Sequence, residues 1–222
     1  TLIPFMDKLI EKHGTKIRRV VADSGYENEE NYVYLKEKGI EPFIKPLNYE
    51  VKKTKKYTDE ISRKENMTYY RAGDYYVCHN NKKLQFEKII YKKNKYGYKS
   101  ESKVYLCSDC LNCIYSNDCI KTKSKSGLKR IYVAERFENL RKKSEENITT
   151  KEGIIERLNR SIQAEGIFSY IKSGMQYMRF KHRSMEKVIS EMKLLSIAIN
   201  IKKLSNKIKS GKLGFIRYKE II

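Results

Sequence analysis

Two sets of residues in this 222-residue sequence have the types and spacing to do chemistry. Four cysteines, Cys107, Cys110, Cys113 and Cys119, form C-x2-C-x2-C-x5-C. That spacing lets four thiolates surround one ion after a pair of tight turns. Zinc is the first choice, because a tetrahedral thiolate site can fold a small segment that has no core of its own. An iron–sulfur cluster comes second, since the fourth spacing and the missing proline disagree with the ferredoxin pattern. Four reduced thiols without a metal are the third reading. Cys78 joins or replaces one of them if the strands around it fold back.

The second set is acidic. In VVADSGYENEEN an apolar run stops at Asp23 and breaks into Ser24-Gly25. Ligands collect at the carboxyl ends of strands in open α/β sheets, and Asp23 stands at such an end. Its bland alternative is an Asx cap on the turn that follows. Further along, Ile154, Leu158, Ile162, Glu165 and Lys172 share a narrow arc of a helical wheel. A carboxylate in a stripe that faces the core is costly to desolvate unless a cation meets it. A metal ion could be that cation, and a plain Glu165–Lys172 bridge at the core edge is the alternative. Together, a strand-end Asp and an inward-facing Glu suit a carboxylate cluster holding magnesium or manganese for phosphodiester chemistry. Such a pair of ions needs about three carboxylates.

The elements that must position these groups follow from periodicity. Leu2, Ile3, Met6, Leu9 and Ile10 predict a helix over 2–13. Residues 17–22 predict a strand, 28–38 a helix closed by Gly39, and 40–45 a second short strand. This strand, helix, strand series marks an α/β layer. Residues 51–147 change grain into Lys- and Tyr-rich stretches that read as short antiparallel strands, with KSKSG as a loop. They form a mainly β insertion between a first part of the core, 1–50, and a helical second part, 148–222. In the second part Val188, Met192, Leu195 and Ile199 make an apolar stripe, and the last twelve residues or so read as a loose tail.

Composition limits the partners. Lys and Arg outnumber Asp and Glu by 48 to 27, a formal net charge of +21. Such a surplus repels itself and calls for a polyanion, with nucleic acid as the default. No apolar run reaches the roughly 18 residues of a membrane span, and the first residues lack a secretory layout. Five cysteines, an odd number, fit a reducing compartment. The expectation is a cytoplasmic protein associated with the nucleoid. Lys92, Lys93, Lys95, Tyr96, Tyr98 and Lys99 read as a solvated insertion loop, whereas Tyr177, Arg179, Phe180, Lys181, His182 and Arg183 favour DNA contact.

The stretch RLNRSIQAEGIFSYIKSGMQYMRFKHRSMEKVISEMKLLSIAINIKKL resembles the C-terminal signature of bacterial insertion-sequence transposases of the DDE type, and VVADSGYENEEN resembles the segment carrying their second acid. The spaced set Arg160, Glu165, Phe168, Lys172, Arg179, Phe180 and Arg183 is the most specific part. The resemblance implies a ribonuclease H-like core interrupted by the β insertion with its four-cysteine knuckle, followed by C-terminal helices. It implies Asp23 as second acid, Glu165 as third, and Lys172 on a phosphate near the transposon end. Many relatives carry an Arg four residues before the Glu, where this sequence has Ser161 and places Arg160 one residue earlier.

The family's first acid belongs to a strand ahead of a helix like 2–13, which this sequence does not include. Asp7 and Glu11 are poor substitutes, so the chain is expected not to cut DNA unaided. The implied partner is double-stranded DNA with terminal inverted repeats, bound by two or more copies. The rival reading is a non-catalytic, zinc-bearing DNA-binding remnant or repressor, and a second rival is a nuclease of the same fold that hydrolyses without joining.

Overall fold

The structure, a computed structural model, describes residues 2–13, 17–121 and 126–213. Most of the expected tail, and three residues of KSKSG, lie outside them. The chain divides into two compact units, Thr1–Ser161 and Ile162–Ile222.

The first unit opens with helix α1 (Leu2–His13), strand β1 (Arg19–Ala22), helix α2 (Glu29–Glu37) and strand β2 (Glu41–Ile44). Asn28 starts α2, its Oδ1 accepting from the Asn31 backbone N–H at 2.7 Å, and Glu29 and Glu30 favour the helix dipole. Gly39 ends it in the left-handed region at φ 68°, where a Cβ would be strained. β1 and β2 pair in parallel, from Arg19 opposite Glu41 to Ala22 opposite Ile44. Leu2, Met6, Tyr32, Leu35, Ile40 and Ile44 form the buried core beside them. The strand, helix, strand series therefore falls where periodicity placed it.

After the one-turn helix α3 (Lys55–Thr58), the chain builds an antiparallel sheet in chain order: β3 (Thr68–Tyr70), β4 (Tyr75–Val77), β5 (Lys83–Lys93), β6 (Lys99–Leu106) and β7 (Arg130–Val133). The one-turn helix α4 (Ser116–Cys119) lies between β6 and β7. Met67, Leu84, Tyr105, Cys107, Cys110, Ile131 and Val133 make a second core on this sheet. The protein is thus mixed α/β.

From Glu135 the chain returns to the first core. Helix α5 (Glu135–Thr149) adds Phe137 and Leu140 to that core. Its fully buried Ser144 hydroxyl accepts from the Ile44 N–H at 2.9 Å and donates to the Ile44 carbonyl at 3.0 Å, while Asn147 donates to the Pro42 carbonyl at 3.0 Å. Side chains of α5 thereby satisfy backbone groups that β2 does not pair with a strand. Helix α6 (Lys151–Arg160) follows after one residue, its Gly153 pressed against the end of α5.

In the second unit, helix α7 (Gly166–Ser169) stands between the π-helical turns Ser161–Glu165, which straddle the unit boundary, and Tyr170–Gly174. Helix α8 (Met185–Lys209) is capped by Ser184. Its Val188, Met192 and Leu195 are half-buried and Ile199 buried, while Leu194 and Ile201 are exposed. The expected apolar stripe is the inward face of this helix.

Candidate active site

Asp23 follows the last residue of β1, so the sheet itself delivers its carboxylate to the surface. Oδ1 accepts from the Gly25 N–H at 3.1 Å and caps the turn Ser24–Tyr26. This is the Asx arrangement, and it occupies one oxygen. Oδ2 lies 3.4 Å from Nη2 of Arg160, with the Asp23 side chain about half exposed.

The placement of Arg160 follows from a parallel alignment of α6 with β1. At one end, Arg19 pairs with Glu152, with Glu156 at 3.8 Å and with Glu41 at 3.3 Å. At the other end, Arg160 meets Asp23. Eight residues of helix span about 12 Å, and four residues of strand span about 13 Å. The two elements therefore keep step from one ion pair to the next.

The loop between β1 and α2 is tied down by Glu27, which sequence reasoning passed over as part of an acidic stretch. Its side chain is only 5% exposed. Oε2 accepts from the Leu47 N–H at 2.7 Å, and Oε1 lies 2.6 Å from Nε of Arg141 but out of line for a hydrogen bond. Arg141 also donates to Asn48. A buried carboxylate met by a guanidinium holds its loop far more firmly than an exposed pair does. The only sequence signal for it was an acid close after a strand-end Asp.

Glu165 and Lys172 belong to the second unit, and both are exposed. The expected inward stripe is not one: Ile154 is 43% exposed, Leu158 58% and Ile162 57%. Ile154 and Leu158 stand in the regular part of α6 and are exposed there, and beyond them the expected wheel also loses its phase. A wheel at 3.6 residues per turn assumes an unbroken α-helix, whereas each π turn inserts a residue and shifts the phase by about 100°. Glu165 lies in the first π turn and Lys172 in the second. Arg179 and Arg183 are exposed in the segment before α8. Glu191, from α8, accepts from the Lys181 N–H at 3.0 Å and lies 3.2 Å from His182. This fastens the segment while its arginines face outward.

The cysteines gather on the second sheet. Cys78, Cys107, Cys110, Cys113 and Cys119 all line one cavity of about 20 Å³, with Lys129 beside them. Burial, with Cys110 and Cys78 adding to it, pushes the Cys107 thiol up to about 12, and burial raises Cys119 against the pull of Lys129. Among the described residues, no group of three or more His, Cys, Asp or Glu side chains is arranged to hold a metal ion. That applies to the expected zinc set, Cys107, Cys110, Cys113 and Cys119, which shares a cavity without forming a coordination group.

Among the described residues no helix is long and apolar enough to cross a membrane. A parallel strand pair, one strand ending at an acid, a five-stranded antiparallel sheet and several helices define a mixed α/β protein. Residues 77–205 match the family model for the transposase DDE domain, more than half of the chain, and the chain belongs to that family. No curated protein and no solved structure matches it. Glu165, Lys172, Arg179 and Arg183 fall within the matched residues, and Asp23 and Arg160 divide, the first outside and the second inside.

Proposed function

We propose that this transposase-family chain acts in cleavage and strand transfer of DNA at transposon ends. Asp23 and Glu165 are the acids that hold divalent magnesium or manganese. Arg160, Lys172, Arg179 and Arg183 are contacts to phosphate. The observation that carries this reading is the family match, which spans Glu165 and the cations after it. Two features of the chain support it. Asp23 stands at the carboxyl end of a parallel strand, where α/β proteins place ligands. Glu165 and Lys172 each lie in a π turn, a costly geometry that recurs at functional sites.

The parallel pair β1 and β2, flanked by helices, is what we assign to a ribonuclease H-like core, with the antiparallel sheet inserted into it. Asp23 and Glu165 would hold the divalent ions, which when bound would supply the charge that activates an attacking oxygen and stabilises a leaving one. The chain's own part is to present two of the roughly three carboxylates required and to hold the DNA. The partner is double-stranded DNA with terminal inverted repeats, taken up by two or more copies.

Manganese titration followed by water-proton relaxation tests the metal assignment. Wild type is expected to bind, and Asp23→Ala and Glu165→Ala to bind less. Equal binding by all three would sink it. A labelled transposon end with a target plasmid tests the rest, since joined product belongs to a transposase and hydrolysis alone to a nuclease. DNA binding with no metal response favours a non-catalytic binder.

The cysteine cavity supports a second assignment, a structural zinc ion drawn among Cys107, Cys110, Cys113 and Cys119, because all four line the same space. Its ligands must turn toward the ion and give up protons, so uptake is expected to release them. Zinc-loaded protein that shows no bound zinc after dialysis overturns this assignment.

A further inference from the structure

The antiparallel sheet has two unlike faces. Register puts Leu84, Tyr105 and Ile131 on the face that carries the second core. The opposite face begins with a row that crosses all five strands: Tyr70, Tyr75, Gln85, Leu106 and Arg130, each directly opposite the next. The next row is Lys88, Val104 and Tyr132. Lys83 and Lys92 share this face by the two-residue period of β5, on either side of the bulge between Phe86 and Lys88. Of these residues only Val104 is buried.

Charge and ring chemistry coincide there. Lys83 Nζ stands 4.6 Å from the centre of the Tyr75 ring, and Lys92 Nζ 5.7 Å from that of Tyr132. Tyr70 and Tyr75 stack at 5.2 Å with planes 15° apart. Tyr70 is 48% exposed and Tyr132 53%. The rows themselves hold no acid; Glu87, in the bulge, lies 3.2 Å from Arg130 and 3.9 Å from Lys88, and at the Lys92 end the face borders a cavity that Glu29 and Glu30 also line. Tyrosine rings standing singly on a polar surface are unremarkable, but rings set on one sheet face with lysines beside them make a stacking platform with a cationic border.

We infer that this face binds a DNA strand with unpaired bases, the lysines and Arg130 on phosphates and the rings of Tyr70, Tyr75 and Tyr132 on bases. The inference rests on the reading of the chain as acting at transposon ends, and names where an opened end would lie. A protein partner fits poorly, because the face offers no apolar pocket for an anchor and its cations would need desolvation.

Fluorescence anisotropy with a blunt duplex and with the same duplex carrying a single-stranded tail, each across a salt series, tests it. For the tailed DNA, Lys83→Gln/Lys88→Gln/Lys92→Gln is expected to reduce the slope of log affinity against log salt by about 2, as three lost phosphate contacts would. Tyr132→Ser is expected to weaken the tailed DNA about tenfold and the blunt duplex hardly at all, while Tyr132→Phe, which keeps the ring, binds as wild type. All the substituted side chains are exposed, and unchanged melting curves check the fold. An unchanged slope, or equal weakening of both DNAs by Tyr132→Ser, overturns the inference. Wild type that binds neither DNA overturns the transposon-end reading as well, whereas binding that all variants retain overturns this face alone.

Discussion

Gly153 is the residue whose substitution most directly separates packing from helix propensity. It lies in the first turn of α6, its N–H bonded to the Thr150 hydroxyl at 2.9 Å. An added Cβ would stand 2.0 Å from the Asn147 carbonyl oxygen and 2.8 Å from Ile148 Cα. Both are backbone atoms of α5, and the Ile148 side chain is fully buried, so neither can swing aside. Relieving the contact means moving α6 by about 1 Å or more against β1 and α5. Propensity alone says that Gly153→Ala stabilises a helix by about 1 kcal/mol. Overpacking costs about 1–3 kcal/mol and somewhat more where the clash is backbone on backbone. The net expectation is a loss of about 2 kcal/mol, or about 4–8 °C in Tm for a chain of this size. Thermal melting by circular dichroism measures it. An unchanged or raised Tm would refute the steric reasoning, and with it the claim that the α5–α6 corner fixes the helix leading to Arg160.

Three further outcomes follow from the same contacts. Arg141→Met leaves the Glu27 carboxylate buried without its cation and should cost about 3 kcal/mol in urea unfolding; the double variant Glu27→Leu/Arg141→Met should recover part of that loss, and a double variant worse than the single one contradicts the pairing. Tyr105 and Tyr69 donate to Asp74 at 2.7 and 2.8 Å and hold its carboxyl below the usual range. Because the folded value is the depressed one, the stability it contributes is present above about pH 4 and lost as pH falls through the folded value. The stability gap between wild type and Asp74→Asn should therefore shrink below about pH 4, and a gap that widens there contradicts the assignment. Arg160→Ala removes a half-exposed pair and should cost under about 1 kcal/mol; yet it takes a competing cation from Asp23, so manganese should bind more tightly, and weaker binding would mean that Arg160 helps to form the metal site.

What could be read in the sequence depended on whether the signal was local. β1, α2 and β2 were legible because their period, the Asn28 cap and Gly39 all lie within the segments they shape. The inward face of α8 was legible for the same reason. The continuation of the Ile154–Leu158 stripe to Glu165 and Lys172 was misread because nothing in the residue types announces a π turn, and a wheel drawn at a fixed period carries the wrong phase past it; Ile154 and Leu158 themselves were misread because helical spacing shows that residues share a face, not that anything covers it. The partners of β2 were out of reach too: Ser144 and Asn147 look like ordinary polar residues of a charged helix, and only a contact one hundred residues away in the chain reveals what they do.

The same distinction governs the candidate site. Asp23 could be placed from its neighbours, because an apolar run ending in Asp-Ser-Gly states both the strand and the turn. The groups that hold it in position, Glu27 with Arg141 and Arg19 with Glu152, are pairs between elements, 114 and 133 residues apart. They fix the loop and the helix independently of any metal. A carboxylate held by its own Asx turn, beside a helix whose far end is pinned by the Arg19–Glu152 pair, is ordered before an ion arrives, which lowers the cost of binding one. If Asp23 is a metal ligand, breaking the Arg19–Glu152 contact at the far end of α6 should weaken manganese binding through position alone. Arg19→Gln is therefore expected to reduce affinity severalfold without touching the site, and unaltered affinity would show that α6 does not set the geometry of Asp23.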